Sequence, residues 1–200
     1  FALPVQRWMM LQGFVSNGHP TIVGLFMFSA YPQGYFPQLG ITAVAVPGTE
    51  VSGIGEIGER FLDNKRIEGT ISQMKDDAVA FVIRNMRVRT VIDEKTGERT
   101  DKTEYPVIAI REIILNALVH RDYSIHTDNC PITIRMFTNR IEVENPGGLY
   151  GRNRIDTLGD YGADTRNPYL ANALEIIGQA ENRYSGIPTI RRAMEEAGLE

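Results

Sequence analysis

Between residues 105 and 148 the spacing of apolar residues changes from helical to alternating, which predicts a helix followed by a hairpin. Pro106 suits the first turn of a helix, because its missing N–H would have no partner there. The apolar residues that follow recur three or four positions apart: Val107, Ile110, Ile113, Ile114, Ala117 and Leu118. This spacing places them on one side of a helix. Glu112, Asn116 and His120 recur every four residues and therefore lie on another side of the same helix.

Apolar and polar residues alternate over 132–144 and are interrupted at Thr138-Asn139, which predicts two antiparallel strands and a tight turn. Residues 41–46 have the composition of a further strand, and helical spacing predicts helices over 69–87 and 188–197. Thr21 is a suitable N-cap for a short helix ending at Phe28, and Asn167 for a helix beginning at Pro168. Together these elements predict an α/β (α+β) two-layer sandwich, in which a mixed, largely antiparallel sheet carries helices on one face.

Composition excludes several classes of protein. The chain has 200 residues, of which 42% are hydrophobic and 23% charged, as is ordinary for a globular protein. Its formal net charge of −4 argues against an electrostatic nucleic-acid binder. The single cysteine, Cys130, excludes an internal disulfide and indicates a reducing compartment, so we expect a cytoplasmic protein. No apolar run approaches the roughly 20 residues that cross a bilayer, so no membrane association is expected.

The polar side of the predicted central helix is the first candidate for chemistry. Glu112 and Asn116 lie one turn apart, an arrangement that can place a general base beside a ligand for a hard cation. Mg²⁺ prefers such oxygen ligands and keeps several of its waters. Asn is also a poorer helix former than the residues that usually fill a solvated face. The alternative is that these residues form an ordinary solvated face.

The charged stretch from Arg87 to Glu104 is a second candidate. Its turn at Lys95-Thr96-Gly97 and the strand-like composition on either side predict a hairpin. Basic and acidic residues nearly cancel within it. We therefore expect a solvated hairpin or a dimer arm rather than a DNA-binding ribbon, and a homo-oligomer is expected.

Four stretches, taken in this order, resemble one family: REIILNALVHRDYS, IEVENPGGL, TRNPYLANALEIIG and ENRYSGIPTIRRAMEEAGL. From about Pro20 to Leu199, the chain resembles the C-terminal ATPase-like domain of RecG-related bacterial transcriptional regulators, which is similar to the GHKL, or Bergerat-fold, ATPases. The resemblance implies that residues 51–200 form a GHKL ATPase-like domain. It also implies that residues 1–50 are the C-terminal remnant and linker of an AlbA/Schlafen-type DNA-binding domain. DNA would then be bound by that preceding domain, most of which we expect to lie outside this chain.

The resemblance also implies roles for individual residues. Glu112 is expected to activate the attacking water, and Asn116 to hold Mg²⁺ against the phosphates of ATP. His120 lies one turn further on, where it could reach a phosphate. The remaining nucleotide contacts are expected from two glycine-containing turns and from the lid region between them: Asn145, Gly147, Gly148, Arg166, Ser185, Gly186 and Ile187.

The two glycine-containing turns depart from the family pattern. Asn145 replaces the aspartate that reads the adenine amino group, and its carboxamide oxygen can accept a hydrogen bond without carrying a charge. Leu149 stands where a second glycine is expected, and Gly186 is the one glycine of the later turn.

Two hypotheses therefore stay open. The first is an ATP-binding module of a DNA-associated transcriptional regulator, with weak Mg²⁺-dependent ATP hydrolysis. The second is a non-catalytic module for dimerisation or ligand sensing. The sequence contains no P-loop, so helicase activity is not expected.

Overall fold

The computed structural model describes residues 3–92, 96–160, 164–179 and 186–199. Each helix and strand that the sequence predicts is present, with ends that differ by a few residues. In chain order the elements are α1 (Val5–Leu11), β1 (Val15–Ser16), β2 (His19–Pro20), α2 (Ile22–Phe28), β3 (Ile41–Ala45), β4 (Asp63–Ile67), α3 (Ile71–Asn85), β5 (Val88–Ile92), β6 (Arg99–Thr103), α4 (Val107–His120), β7 (Ile132–Met136), β8 (Ile141–Glu144), α5 (Pro168–Ile176) and α6 (Gly186–Glu196). Short 3₁₀ turns cover Pro32–Gly34 and Ile155–Thr157.

The centre of the fold is a four-stranded sheet with the strand order β4-β3-β7-β8. β3 runs parallel to β7, whereas β3–β4 and β7–β8 are antiparallel. Every second side chain of β3 and β7 is buried: Ile41, Ala43, Ala45, Ile132, Ile134 and Met136. Because side chains alternate between the two faces of a strand, these six lie on one face of the sheet. They belong to the same core as the buried residues of α3 and α4, so the predicted two-layer α+β sandwich is confirmed.

α3 begins with a capping box, which explains why the helix starts where it does. The Oγ1 of Thr70 accepts from the N–H of Gln73 at 3.3 Å, and the Oε1 of Gln73 accepts from the N–H of Thr70 at 2.9 Å. The apolar residues that recur at helical spacing along α3 are all buried: Ile71, Met74, Ala78, Phe81 and Val82. Lys75 is an exception to the usual exposure of lysine. It is buried, donates to the Oε1 of Gln179, and lies 3.2 Å from the carboxylate of Asp76.

α4 is buried on more than one side, because it packs against α3, β8 and α6. The end of α4 is held by Asn167, whose side-chain NH₂ donates to the carbonyls of Val119 and Arg121, both at 2.8 Å. Asn167 stands at the N-cap position of α5, as predicted, but its side chain makes no capping hydrogen bond there. The predicted capping hydrogen bond is therefore wrong, because the side-chain amide of Asn167 bonds to the end of α4 instead.

The predicted division at residue 50 falls between β3 and β4. These strands pair directly along five residues, from Ile41 opposite Ile67 to Ala45 opposite Asp63. α2, which begins at the predicted cap Thr21, also contributes buried Phe26 to the main core. The central sheet therefore takes a strand from each side of the division, and the segment expected to be a remnant packs with the rest.

β5 and β6 form a separate two-stranded antiparallel sheet, in which all five residues of β5 are exposed. The predicted hairpin is thus confirmed by the pairing of its two strands, and Lys95 of the predicted turn lies outside the described residues. Across the described ranges, no helix has both the length and the apolar character needed to cross a membrane.

Candidate functional site

A cavity of about 520 Å³ lies between α4, the turn that follows β8, and the first residues of α6. The described lining comprises Ile113, Asn116, Ala117, His120, Val143, Asn145, Gly147, Gly148, Leu149, Tyr150, Asn153, Ile155, Leu158, Gly159, Gly186, Ile187 and Pro188. Most of these side chains are apolar or uncharged. Among them there is no lysine, arginine or carboxylate.

The structure brings most of the predicted site residues together at this cavity, from three stretches that are distant along the chain. Those that line it are Asn116, His120, Asn145, Gly147, Gly148, Gly186 and Ile187. Ser185 lies outside the described residues. Arg166 and Glu112 are placed elsewhere, as described below.

Asn116 of α4 lies directly beside Gly186 at the start of α6. The Nδ2 of Asn116 lies 2.7 Å, and its Oδ1 3.1 Å, from the position that a Cβ on Gly186 would occupy. Real Cβ atoms do not approach other atoms so closely, so a side chain at position 186 would displace either Asn116 or α6. Glycine therefore allows the N-terminus of α6 to reach the polar side of α4.

Two buried polar atoms at the cavity have no hydrogen-bond partner among the described residues: the Nδ2 of Asn116 and the Oδ1 of Asn145. A buried donor or acceptor left unpaired costs about 1–3 kcal/mol. Because one atom is a donor and the other an acceptor, they suit a ligand with polar groups of both kinds.

His120 lies one turn after Asn116 on α4. Burial lowers the pKa of its imidazole, because the charged form is poorly solvated there. The ring is therefore neutral at pH 7, and can donate from one nitrogen and accept at the other.

The turn after β8 needs glycine at position 147. Gly147 has a φ of +104°, and a Cβ on it would lie 2.7 Å from the Cβ of Asp122. The N–H of Asp122 donates to the carbonyl of Pro146 at 2.9 Å. The turn is thus packed directly on the loop that follows α4, and any side chain at position 147 would separate the two.

Arg166 does not line the cavity. It bonds both to the loop that follows α4 and to the turn that follows β8. Its Nη1 pairs with the Oδ2 of Asp122 at 2.6 Å, and its Nη2 donates to the carbonyl of Gly148 at 3.1 Å. Its guanidinium carbon lies 5.1 Å from the ring centre of Tyr150. The pKa of Asp122 is lowered, chiefly by the N–H of Ser124 and additionally by Arg166. Arg166 therefore supports the wall of the cavity.

Arg121 fixes the loop that carries Asp122. Its buried guanidinium donates to the carbonyls of Asp122, Thr127 and Cys130 at 2.8, 2.8 and 2.6 Å. It also lies 5.0 Å from the ring centre of Tyr123. The sequence analysis missed this role. A basic residue directly after a long apolar helix was the available signal.

The segment over residues 150–159 forms a further wall, and the sequence analysis named none of its residues. Asp164 holds its start: the N–H and Nη2 of Arg152 donate to the carboxylate at 2.8 and 2.7 Å. These hydrogen bonds lower the pKa of Asp164 to about 2. The side chain of Asn153 donates to the carbonyls of Tyr150 and Asp164. This network shapes the wall formed by Tyr150, Asn153 and the residues after them.

Glu112 does not line the cavity that contains Asn116. It lines a neighbouring cavity of about 300 Å³ together with Lys75, Arg111 and Gln179. With 3.6 residues per turn, a residue four positions before Asn116 lies about 40° further round the helix. Glu112 thus lines a different cavity from Asn116, whereas the sequence analysis expected both to face the same ligand.

Comparison with known proteins adds one family and one solved structure. Residues 129–200 match the family model described as "Putative ATP-dependent DNA helicase recG C-terminal". This stretch contains the hairpin, both glycine-containing turns and α6, and it is similar to a RecG-related, ATPase-like domain. No curated protein sequence matches the chain.

The fold is similar to that of the DIP2311 protein from Corynebacterium diphtheriae, known from a crystal structure. The two share 19% sequence identity with a TM-score of 0.74, over 99% of this chain and 37% of that one. The chain thus spans less than two fifths of that protein's length. At this identity the similarity concerns the fold alone.

Proposed function

We propose that the cavity between α4 and α6 binds ATP, as the nucleotide-binding module of a DNA-associated transcriptional regulator. The observation that carries the proposal is the pair of unpartnered polar atoms, on Asn116 and Asn145, at one cavity. The ATPase-like family match over residues 129–200 supports it, because that match includes Asn145 and Gly186.

In this proposal Asn145 recognises the adenine base of ATP. Its Oδ1 accepts from the 6-amino group of adenine, and Ile113, Val143 and Leu149 provide apolar contacts for the ring. A cavity with apolar walls and a few polar groups is typical of a site for a small molecule or cofactor. The neutral ring of His120 can add a hydrogen bond without a charge.

The phosphates would lie toward Asn116 and the N-terminus of α6. The first N–H groups of a helix have no partner within it and carry a partial positive charge, so they favour an anion. Gly186 brings this end of α6 next to Asn116. Position 185, also expected to contact the phosphates, falls outside the described residues.

Asn116 is the residue that could hold Mg²⁺ in this proposal. No group of three or more His, Cys, Asp or Glu side chains suited to a metal ion occurs within the described ranges. One carboxamide oxygen fits Mg²⁺ nevertheless, because this ion usually takes its other ligands from water and from substrate phosphates. Bound in this way, Mg²⁺ would neutralise charge on the phosphate oxygens.

Hydrolysis is expected to be slow. A general base must come within hydrogen-bond reach of the attacking water. Glu112, the expected base, lines the neighbouring cavity with Lys75 and Gln179. It would have to turn toward Asn116 to act, so we assign it a role in weak hydrolysis rather than in binding.

A second candidate function is a non-catalytic module for dimerisation or ligand sensing. It is favoured by one observation, the absence of a charged side chain among the described residues that line the cavity. Triphosphates are usually held by lysine or arginine. A neutral cavity would instead suit an uncharged ligand.

The association with DNA rests on the resemblance and on the family description, which names a DNA helicase. With a net charge of −4, the chain offers little general attraction to DNA. We infer that DNA is bound by a preceding AlbA/Schlafen-type domain.

Isothermal titration calorimetry with ATP and Mg²⁺ tests the binding proposal. We expect saturable binding that is weakened at least about tenfold by Asn145→Ala or by Asn116→Ala, since each change removes a hydrogen bond to the ligand. Asn64→Ala, at an exposed position of β4, is the matched control and should bind as the wild type does. Absence of binding at millimolar ATP would refute the proposal and leave the second candidate.

A further inference from the structure

The β5–β6 hairpin shows an unusual combination of exposure and apolar character. Each strand makes its main contacts with the other. Val88, Val91 and Ile92 of β5 are 56%, 44% and 63% exposed. An isolated two-stranded hairpin is only marginally stable in water, and becomes stable when further strands or another surface cover it. We therefore expect another surface to cover this hairpin.

The hydrogen-bond pattern shows which groups of β5 point outward. The N–H of Glu104 donates to the carbonyl of Arg87 at 2.9 Å, so these residues form a hydrogen-bonded pair. Bonded and non-bonded pairs alternate along an antiparallel ladder. With the observed register, Val88, Thr90 and Ile92 are in non-bonded pairs with β6. Their N–H and C=O groups therefore face away from β6 and are available to another strand.

Two copies of β5 can pair antiparallel with each other without placing like charges opposite each other. If two copies of β5 pair antiparallel about a two-fold axis at Thr90, Val88 of each copy lies opposite Ile92 of the other. Arg89 lies opposite Val91, so no two like charges face each other. Apolar pairs of β-branched residues stabilise such a ladder. The outward groups of Val88, Thr90 and Ile92 are also the ones that this register would join.

The other edge of the hairpin, formed by β6, cannot pair with a second copy of itself in this way. A two-fold pairing of β6 about its middle residue places Asp101 directly opposite Asp101, and like charges in that position are destabilising. The stretch 87–104 as a whole contains five basic and five acidic residues. Its zero net charge favours neither a nucleic acid nor a strongly charged protein.

We propose that β5 is the dimerisation edge of this protein, and that two copies join their hairpins into a four-stranded antiparallel sheet centred on Thr90. The cavity between α4 and α6 contributes no residue to this edge. The inference is therefore independent of nucleotide binding.

Proline substitution distinguishes the two edges. Thr90→Pro removes the outward N–H at the two-fold axis. Asp101→Pro, directly across the hairpin, removes the equivalent outward N–H of β6. Proline is tolerated on an edge strand when the lost N–H faces solvent. By light scattering coupled to size-exclusion chromatography, we expect the wild type and Asp101→Pro to have twice the monomer mass, and Thr90→Pro to have the monomer mass. A monomeric wild type, or a dimeric Thr90→Pro, would overturn the proposal.

Disulfide crosslinking tests the register without relying on proline. In the Cys130→Ser background, which removes the exposed native thiol, Thr90→Cys places two thiols opposite each other. Hydrogen-bonded antiparallel pairs have Cα atoms about 5.5 Å apart, which a disulfide can span. We expect Thr90→Cys to form a covalent dimer under mild oxidation, and Asp101→Cys in the same background to remain monomeric on non-reducing gels. Crosslinking through position 101 rather than position 90 would contradict the assignment to β5.

Discussion

The side-chain amide of Asn116 occupies the space that a side chain at Gly186 would need, with Nδ2 only 2.7 Å from the position of a Cβ there. This relationship joins α4 to α6 at the cavity proposed to bind ATP. It also places an unpartnered donor beside a helix N-terminus. The spacing between Asn116 and Gly186 therefore determines whether one ligand can contact both α4 and α6.

Gly186→Ala is expected to weaken ATP binding by at least about tenfold, because the new methyl group displaces the amide of Asn116. Stability should change by less than about 1 kcal/mol, since alanine favours the helix that begins here. Calorimetry with ATP and Mg²⁺, together with urea denaturation, measures both quantities. Gly48→Ala is the control: it lies outside this cavity, and its added Cβ would meet only the backbone nitrogen of Glu50, at 4.0 Å. Equal affinity of the two variants would contradict this account.

Gly147→Ala should lower the free energy of unfolding by about 1–3 kcal/mol, because the residue has a positive φ that alanine rarely adopts. Its Cβ would also meet the Cβ of Asp122. Urea denaturation checks the value, and Gly148→Ala serves as the neighbouring control, because its φ is not positive and its added Cβ would meet nothing within 4 Å. A Gly147→Ala protein as stable as the wild type would show that the turn is not packed on the Asp122 loop.

Asp122→Asn is expected to reduce stability at pH 7, by an amount that shrinks as the pH falls below about 4. The folded state lowers the pKa of Asp122, mainly through the N–H of Ser124 and also through Arg166. A lowered carboxyl pKa contributes stability above the unfolded value of about 4, and this contribution is lost as pH falls through the folded value. Denaturation curves of wild type and Asp122→Asn should therefore converge in acid. A constant difference across this pH range would rule out the carboxylate as the cause.

His120→Gln should remove part of the pH dependence of stability between about pH 7 and pH 5, where an unfolded histidine gains a proton. Burial lowers the pKa of His120 in the folded protein, so the unfolded state binds more protons in this range. The wild type consequently loses stability as pH falls, and the glutamine variant should lose less. Urea denaturation at a series of pH values tests this, with His126→Gln in the loop after α4 as the comparison.

Glu112→Gln should leave ATP affinity within about threefold of the wild type, because the residue lines the neighbouring cavity. If Glu112 activates water in the slow reaction, phosphate release should fall by at least about tenfold. Calorimetry and a phosphate-release assay on the same preparation separate the two effects. A large loss of ATP affinity would show that Glu112 contacts the nucleotide, which would contradict its position in the neighbouring cavity.

Local patterns predicted much of the fold. The helix α3 and the cap at Thr21 depend on residues close in sequence, so local spacing and residue type were sufficient to predict them. The fold also gathers most of the proposed ligand contacts at one cavity. The roles of these residues remain predictions until binding is measured.

Other positions could not be assigned from spacing. Lys75 is in a pattern typical of a solvated face, yet α4 and Gln179 cover it. Asn167 is a typical cap residue, but its amide is used by the end of α4. In both cases a neighbour from a distant part of the chain determined the outcome.

By itself, the sequence determined the elements, the α+β class and the glycines that permit close approaches, because backbone preference and apolar period act over a few residues. Only the tertiary structure decided that Asn116 and Gly186 meet, that Arg166 supports the cavity wall through Asp122, and that Glu112 faces a different cavity. Which cavity each side of α4 faces, and how closely α6 approaches it, depend on the elements that pack around this helix. No local pattern contains that information.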